Sequence, residues 1–265
     1  MIELKQQIFL AAHPVSFPEK GFELSRRLAE AYGKEVCLLG IPSKNERDTS
    51  FYETAFSRWI AERQGGFPVA LNQYVLEADD DFTDVMEHSE ASMIVFETGR
   101  EKPYNKPLQQ LELCRQLRIP YFFVKPEHSI CFDRVLVPVG FLNEEREKGP
   151  FSSSMGRFFR SEIVLMTAKD YGSRARRNTD AICTLLDKFA LGYQRMEATE
   201  NSFKVEIEAA RRAEELQADM LIISASRDYG LDDIFFGPKE LKVIQQSPAP
   251  VMVINPRKDL YALCG

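Results

Sequence analysis

Ala91-Ser92-Met93-Ile94 and Ala218-Asp219-Met220-Leu221 match in register, and each opens an apolar run, Met93-Ile94-Val95-Phe96 in one and Met220-Leu221-Ile222-Ile223 in the other. One constant step in numbering carries Ala91 to Ala218, Ile8 to Val135 and Val36 to Ile163. At the far end, Pro120-Tyr121-Phe122-Phe123-Val124-Lys125-Pro126 pairs with Pro250-Val251-Met252-Val253-Ile254-Asn255-Pro256 at a slightly longer step, so the second copy carries three extra residues before its last helix. A period as long as a whole domain excludes a solenoid and indicates a duplication. Short runs that are apolar on both faces belong to a parallel sheet covered on both sides.

Working outward, helical and strand periods alternate. Ile8-Phe9-Leu10-Ala11-Ala12 reads as a strand. Ser16-Phe17-Pro18-Glu19 has the spacing of a capping box, and Leu24, Leu28, Ala31 and Tyr32 recur at helical spacing until Gly33. Val36–Leu39 is the second strand, Tyr52, Ala55, Phe56, Trp59 and Ile60 form one helical face, and a strand over 70–76 precedes a short acidic helix over 80–90. A helix over 107–117 then joins the strands 93–96 and 121–124.

The second series has strands at 135–139, 163–166, 193–199, 220–223 and 251–254. Its helices run from Phe151 to Phe159, through Ile182, Leu185, Leu186 and Phe189, and over 203–217 and 238–246. Ser152-Ser153-Ser154 after Gly149-Pro150 reads as the cap of the first of these helices, ahead of the alternative of a phosphate or phosphorylation site. The expected organisation is α/β, with one domain at 1–126, a second at 133–257 and a linker over 126–132.

The 265 residues are 44% hydrophobic and 11% aromatic, enough for full cores. Lys plus Arg is 34 against 40 for Asp plus Glu, a net charge of −6, which argues against a generic nucleic-acid or membrane-surface binder. The basic run Arg174, Arg176, Arg177 reads as a solvated helix face. No apolar stretch is long enough to span a membrane, and the first residues lack the apolar run of a signal peptide. The five cysteines are scattered without a C-x-x-C, which fits a reducing cytoplasm, and His13, His88 and His128 have no metal-ligand spacing, so no metal site is expected.

Three stretches of the second copy carry a resemblance: Arg134-Val135-Leu136-Val137-Pro138-Val139, Ala218-Asp219-Met220-Leu221-Ile222-Ile223 and Ser247-Pro248-Ala249-Pro250-Val251-Met252-Val253-Ile254. They resemble a universal stress protein domain. The first copy is similar through its order of elements and Ile119-Pro120-Tyr121-Phe122-Phe123-Val124, so the tandem form of that family is implied. The resemblance implies two doubly wound five-stranded parallel sheets in strand order 3-2-1-4-5, with helices on both faces. In such a sheet a ligand lies at the carboxyl ends of the first and fourth strands, where the winding reverses.

ATP-binding members of the family carry Gly-x2-Gly-x9-Gly-Ser/Thr after the fourth strand and an Asp that contacts adenine at the end of the first. Glycines there admit backbone N–H groups to phosphate. The second copy has Ala225 and Asp228 at the first two glycine positions, keeps Gly237, and puts Pro238, which has neither N–H nor hydroxyl, at the Ser/Thr position. Asp232 and Asp233 add negative charge to the loop, and Gly140 stands at the adenine-contact position. In the first copy the loop from Thr98 to Pro107 is shorter by three residues, and His13 stands at the adenine-contact position. Arg100 and Arg227, separated by the repeat step, each follow a strand end where they could capture an anion or pair with a neighbouring carboxylate.

The candidate ligand-binding residues are therefore Gly140, Ser224, Ser226, Arg227 and Gly237 in the second copy and His13, Gly99 and Arg100 in the first. The expected function is that of a tandem stress-response protein acting by binding and association, without catalysis and without a cofactor. The alternative is an adenine-nucleotide (ATP or AMP) binder using the second copy, with slow ATP hydrolysis. An enzyme built on His13 and Arg100 is a third reading; it requires a carboxylate or hydroxyl beside His13. The expected partners are the two copies, paired within the chain, and a second chain in a homodimer; nucleic acid and membrane are not expected.

Overall fold

The structure is a computed structural model that describes residues 6–43, 48–66, 68–77, 80–99, 106–226 and 238–256. The chain divides into two compact units, Met1–Glu127 and His128–Gly265.

The first unit runs β1 (Gln7–Ala12), α1 (Glu19–Tyr32), β2 (Glu35–Gly40), α2 (Ser50–Arg63), β3 (Leu71–Val75), α3 (Phe82–His88), β4 (Ala91–Glu97), α4 (Pro107–Cys114) and β5 (Tyr121–Val124). β1 lies parallel to both β2 and β4, β2 to β3, and β4 to β5. The strand order is therefore 3-2-1-4-5, and the winding reverses between β1 and β4. Ile8 and Leu10 of β1 and Leu24 and Leu28 of α1 are wholly buried, so the apolar period that marked each element also supplies its core contacts. Gly33 ends α1 with φ +65°, in the left-handed region where glycine carries no Cβ penalty.

The second unit repeats the plan: β6 (Arg134–Val139), a 3-10 turn (Asn143–Glu147), α5 (Lys148–Phe159), β7 (Glu162–Thr167), α6 (Arg174–Lys188), β8 (Tyr193–Glu197), α7 (Val205–Arg212), β9 (Met220–Ser224), α8 (Lys239–Gln246) and β10 (Val251–Ile254). β6 pairs in parallel with β7 and β9, β7 with β8, and β9 with β10, giving the same order from the third strand of the unit to the fifth. The expected fold, two tandem five-stranded parallel α/β sheets in order 3-2-1-4-5, is the fold observed.

Two local readings are corrected. The capping box does not form: α1 opens at Glu19 behind Pro18, with no side-chain cap. Ser16 sits two residues before the cap position, which Pro18 occupies, and its N–H instead donates to the His13 carbonyl at 3.1 Å, closing a tight turn. Nor do Ser152-Ser153-Ser154 cap a helix. α5 already starts at Lys148, Ser152 and Ser153 are buried within it, and Ser152 Oγ donates to the Lys148 carbonyl at 2.8 Å. The helices expected to reach 117 and 217 are shorter, ending at Cys114 and Arg212. Gln217 at φ +53° turns the chain toward β9.

Candidate functional site

In each unit the switch point is filled by the chain's own charged side chains. In the first unit the N-terminus of α1 points its unpaired N–H groups over the carboxyl ends of β1 and β4, the arrangement that favours an anion. That anion is Glu97, the last residue of β4. Its Oε2 accepts hydrogen bonds from the backbone N–H groups of Lys20 at 2.7 Å and Gly21 at 2.9 Å, and the residue is buried. Gly21 permits the approach: a Cβ there would lie 2.7 Å from Leu10 Cδ1 and 3.4 Å from Glu97 Cβ.

His13 follows β1. Its Nδ1 accepts from the Val15 N–H at 3.3 Å, and its ring meets Tyr52 edge-on with centroids 5.6 Å apart. Tyr52 begins a run of packed rings through Phe56, Trp59 and Phe17. Gly99 lies just beyond β4, next to Thr98, whose N–H donates to the Val124 carbonyl at 2.8 Å. Arg100 lies outside the described residues.

In the second unit the last residue of the fourth strand is Ser224 and not an acid. The repeat step carries Glu97 onto Ser224 and Gly21 onto Lys148. Lys148 is wholly buried, and its Nζ donates to the Pro138 carbonyl at 2.7 Å, Glu145 Oε2 at 2.8 Å and Glu206 Oε1 at 3.0 Å. Glu145 Oε2 also accepts from the Gly140 N–H at 2.9 Å, and Glu206 Oε1 from the Ser224 N–H at 2.9 Å. Lys239, the first residue of α8, pairs with Glu206 Oε2 at 2.9 Å. Next to it, the buried Glu240 accepts from both the N–H and the hydroxyl of Ser226.

Gly140 and Ser224 are thus brought onto one network through Glu145 and Glu206, and Ser226 is held beside it by Glu240. Arg227 and Gly237 lie outside the described residues. Burial would raise the carboxyl of Glu206, but the Lys239 and Lys148 ammonium groups and the Ser224 N–H outweigh it and hold it at about 2. Glu240 moves the other way, because burial pushes its carboxyl up despite Lys239. Three carboxylates, Glu145, Glu206 and Glu240, lie near the two ammonium groups of Lys148 and Lys239 here.

The space beside Gly140 is also taken. A Cβ there would lie 3.0 Å from Ser202 Oγ and 3.1 Å from Ser202 Cβ. Ser202 Oγ accepts from the Phe141 N–H at 2.8 Å and itself bonds to Asp170, while Asn178 Nδ2 donates to the Gly140 and Leu142 carbonyls at 2.9 and 2.7 Å. A carboxylate introduced as Gly140→Asp would meet Ser202 and the Glu145 carboxylate. That substitution is expected to lower stability by about 1–3 kcal/mol without creating adenine affinity, read by thermal melting and nucleotide titration.

Sequence reasoning does not single out Glu97, Glu145, Lys148, Glu206, Lys239 or Glu240. The local signal it offers is Glu145 and Lys148 at i, i+3. Glu206 meets Lys148 across 58 residues, and nothing in either neighbourhood announces the pair. Among the described residues no group of three or more His, Cys, Asp or Glu side chains is placed to hold a metal ion.

No protein-family model and no curated protein sequence matches the chain. Solved structures do match in fold. A universal stress protein from Archaeoglobus fulgidus superposes with a TM-score of 0.69 at 14% identity, over 96% of this chain and 97% of that one. A provisionally assigned universal stress protein from Pseudomonas aeruginosa UCBPP-PA14 gives 0.65 at 16% identity, over 98% and 96%. A functionally unknown protein from Pseudomonas aeruginosa PAO1 gives 0.64 at 16% identity, over 98% and 95%. The chain has the tandem fold of these universal stress protein structures.

Proposed function

We propose that this chain is a tandem universal stress protein of the cytoplasm that works by association and not by nucleotide chemistry. The observation that carries this reading is the Lys148 network. The crevice between β6 and β9, where a nucleotide would enter, is filled by Glu145, Lys148, Glu206 and Lys239. A ligand would have to break a buried, hydrogen-bonded ion cluster before making its own contacts, and removing one partner from such a cluster costs several kcal/mol. The loop substitutions Ala225, Asp228 and Pro238 point the same way, as does Glu97 at the anion position of the first unit. No helix among the described residues is long and apolar enough to cross a membrane.

Protein purified from its host without added nucleotide tests the reading. An absorbance ratio free of nucleotide, and no adenine species by mass spectrometry, is the expected outcome. Stoichiometric ATP or AMP would favour the nucleotide-binding alternative.

The two units also pair within the chain, on this reading, as single-domain proteins of this fold family pair between chains. Separately expressed 1–127 and 128–265 should associate on mixing in sedimentation velocity. Two stable monomers with no affinity for each other would remove this part of the reading.

A further inference from the structure

Three loops of the second unit meet at the carboxyl end of its sheet, those after β6, β7 and β8. Hydrogen bonds lace them together. Ser202 Oγ accepts from Phe141 N–H at 2.8 Å, Ser202 N–H donates to Asp170 Oδ1 at 3.0 Å, and Lys169 N–H donates to the Glu200 carbonyl at 2.8 Å. This fixed frame holds large apolar side chains out in solvent. Tyr171 is fully exposed, Phe203 73% exposed and Leu142 45% exposed, and the rings of Phe141 and Phe203 pack edge-to-face with centroids 5.6 Å apart. A rigid loop frame that presents aromatic side chains to water within a polar rim marks an interaction surface.

The rim is basic. Lys169, Arg174 and Lys204 are exposed and carry no ion pair among the described residues. Of the neighbouring acids, Glu200 pairs with Arg211 at 3.7 Å, while Asp170 accepts from the Ser202 N–H and hydroxyl and keeps its charge, so the three cations outnumber one uncompensated carboxylate. This local excess of positive charge lies on a chain whose net charge is −6.

We propose that Phe141, Leu142, Tyr171 and Phe203, rimmed by Lys169, Arg174 and Lys204, form a docking surface for an acidic peptide segment of a partner protein that carries aromatic or aliphatic anchors. The inference rests on the association reading and names the partner's chemistry. The apolar centre takes the anchors, and the unpaired cations take the carboxylates. A long polyphosphate is disfavoured, because the net negative charge of the chain repels it beyond the three rim cations.

Selection of random dodecapeptides displayed on phage against the full chain tests the proposal, with the enriched peptides remeasured by fluorescence anisotropy. The expected pool is net negative with Phe, Trp or Leu anchors and binds with a Kd on the order of 10–100 µM. Phe203→Ser and Lys204→Glu should each weaken it about tenfold or more, with melting unchanged because both side chains are at the surface. Neutral or basic pools, enrichment indifferent to both substitutions, or no enrichment would overturn the proposal. So would an oligothymidylate or anionic phospholipid vesicles that bind the same residues more tightly than any peptide. Repeating the measurement with ATP and Mg²⁺ present separates the two readings. Nucleotide binding that leaves peptide binding intact would end the association-only function and spare the surface.

Discussion

Replacing Lys148 with methionine is expected to destabilise the second unit by about 3–5 kcal/mol, the cost of leaving buried carboxylates without their cation. Lys148 Nζ touches Glu145, Glu206 and the Pro138 carbonyl together. Methionine has nearly the same length and none of the charge, so packing is conserved and the electrostatics are lost. A loss of this size is a large part of the roughly 5–15 kcal/mol that a typical domain has in total. It should appear as a shift of the urea midpoint for the second unit alone. The triple variant Lys148→Met, Glu145→Gln, Glu206→Gln should recover much of the loss, because amides need no countercharge. Lys239→Met should cost less, since its side chain is 27% exposed and water can replace part of the pairing. If Lys148→Met moved stability by less than about 1 kcal/mol, the network would not be the buried ion cluster described.

Acid should dismantle the same network. The Glu206 carboxyl lies at about 2 in the fold against an ordinary value near 4.5. A depressed carboxyl stabilises the fold above its unfolded value and ceases to do so as pH falls through its folded value. The loss therefore runs from about pH 4.5 down to about pH 2 and amounts to about 3 kcal/mol. Glu208, also lowered by the Thr199 and Glu200 N–H groups against its burial, adds in the same direction. Glu240 opposes both: its raised carboxyl contributes stability at low pH and loses it as pH rises. Comparing the chain with Glu206→Gln isolates one carboxylate. The difference in urea midpoints between the two should be large near neutrality and shrink toward about pH 3. A difference that stays constant across this range would place the stabilisation elsewhere.

The fold was legible because both its signals are local or periodic. The apolar runs at Ile8, Val36 and Met93 recur in the second copy at Val135, Ile163 and Met220, and each run became a strand of the expected order. The crevices were legible only in part. Gly140 and Ser224 were marked because a strand end at a switch point is a position that can be counted to. What fills the crevice was not, because an ion cluster is assembled from Glu145, Lys148, Glu206 and Lys239 on four separate elements, and charged residues on helices ordinarily read as solvated. Lys148 shows the cost of that default. It stands in a run of charged residues, Glu144 to Lys148, that reads as surface, yet it is wholly buried. Glu97 is hidden for the same reason: a single acid closing an apolar strand carries no sign that two N–H groups of α1 will meet it.

The most direct test of a second unit closed to nucleotide by its own charges is calorimetric titration of the full chain with ATP and Mg²⁺. No saturable heat is expected up to about 1 mM ligand, a binding free energy weaker than about −4 kcal/mol. A submillimolar, metal-dependent affinity that disappears in Gly237→Val would contradict it, and would show that a ligand displaces the Lys148 network and uses the loop after β9.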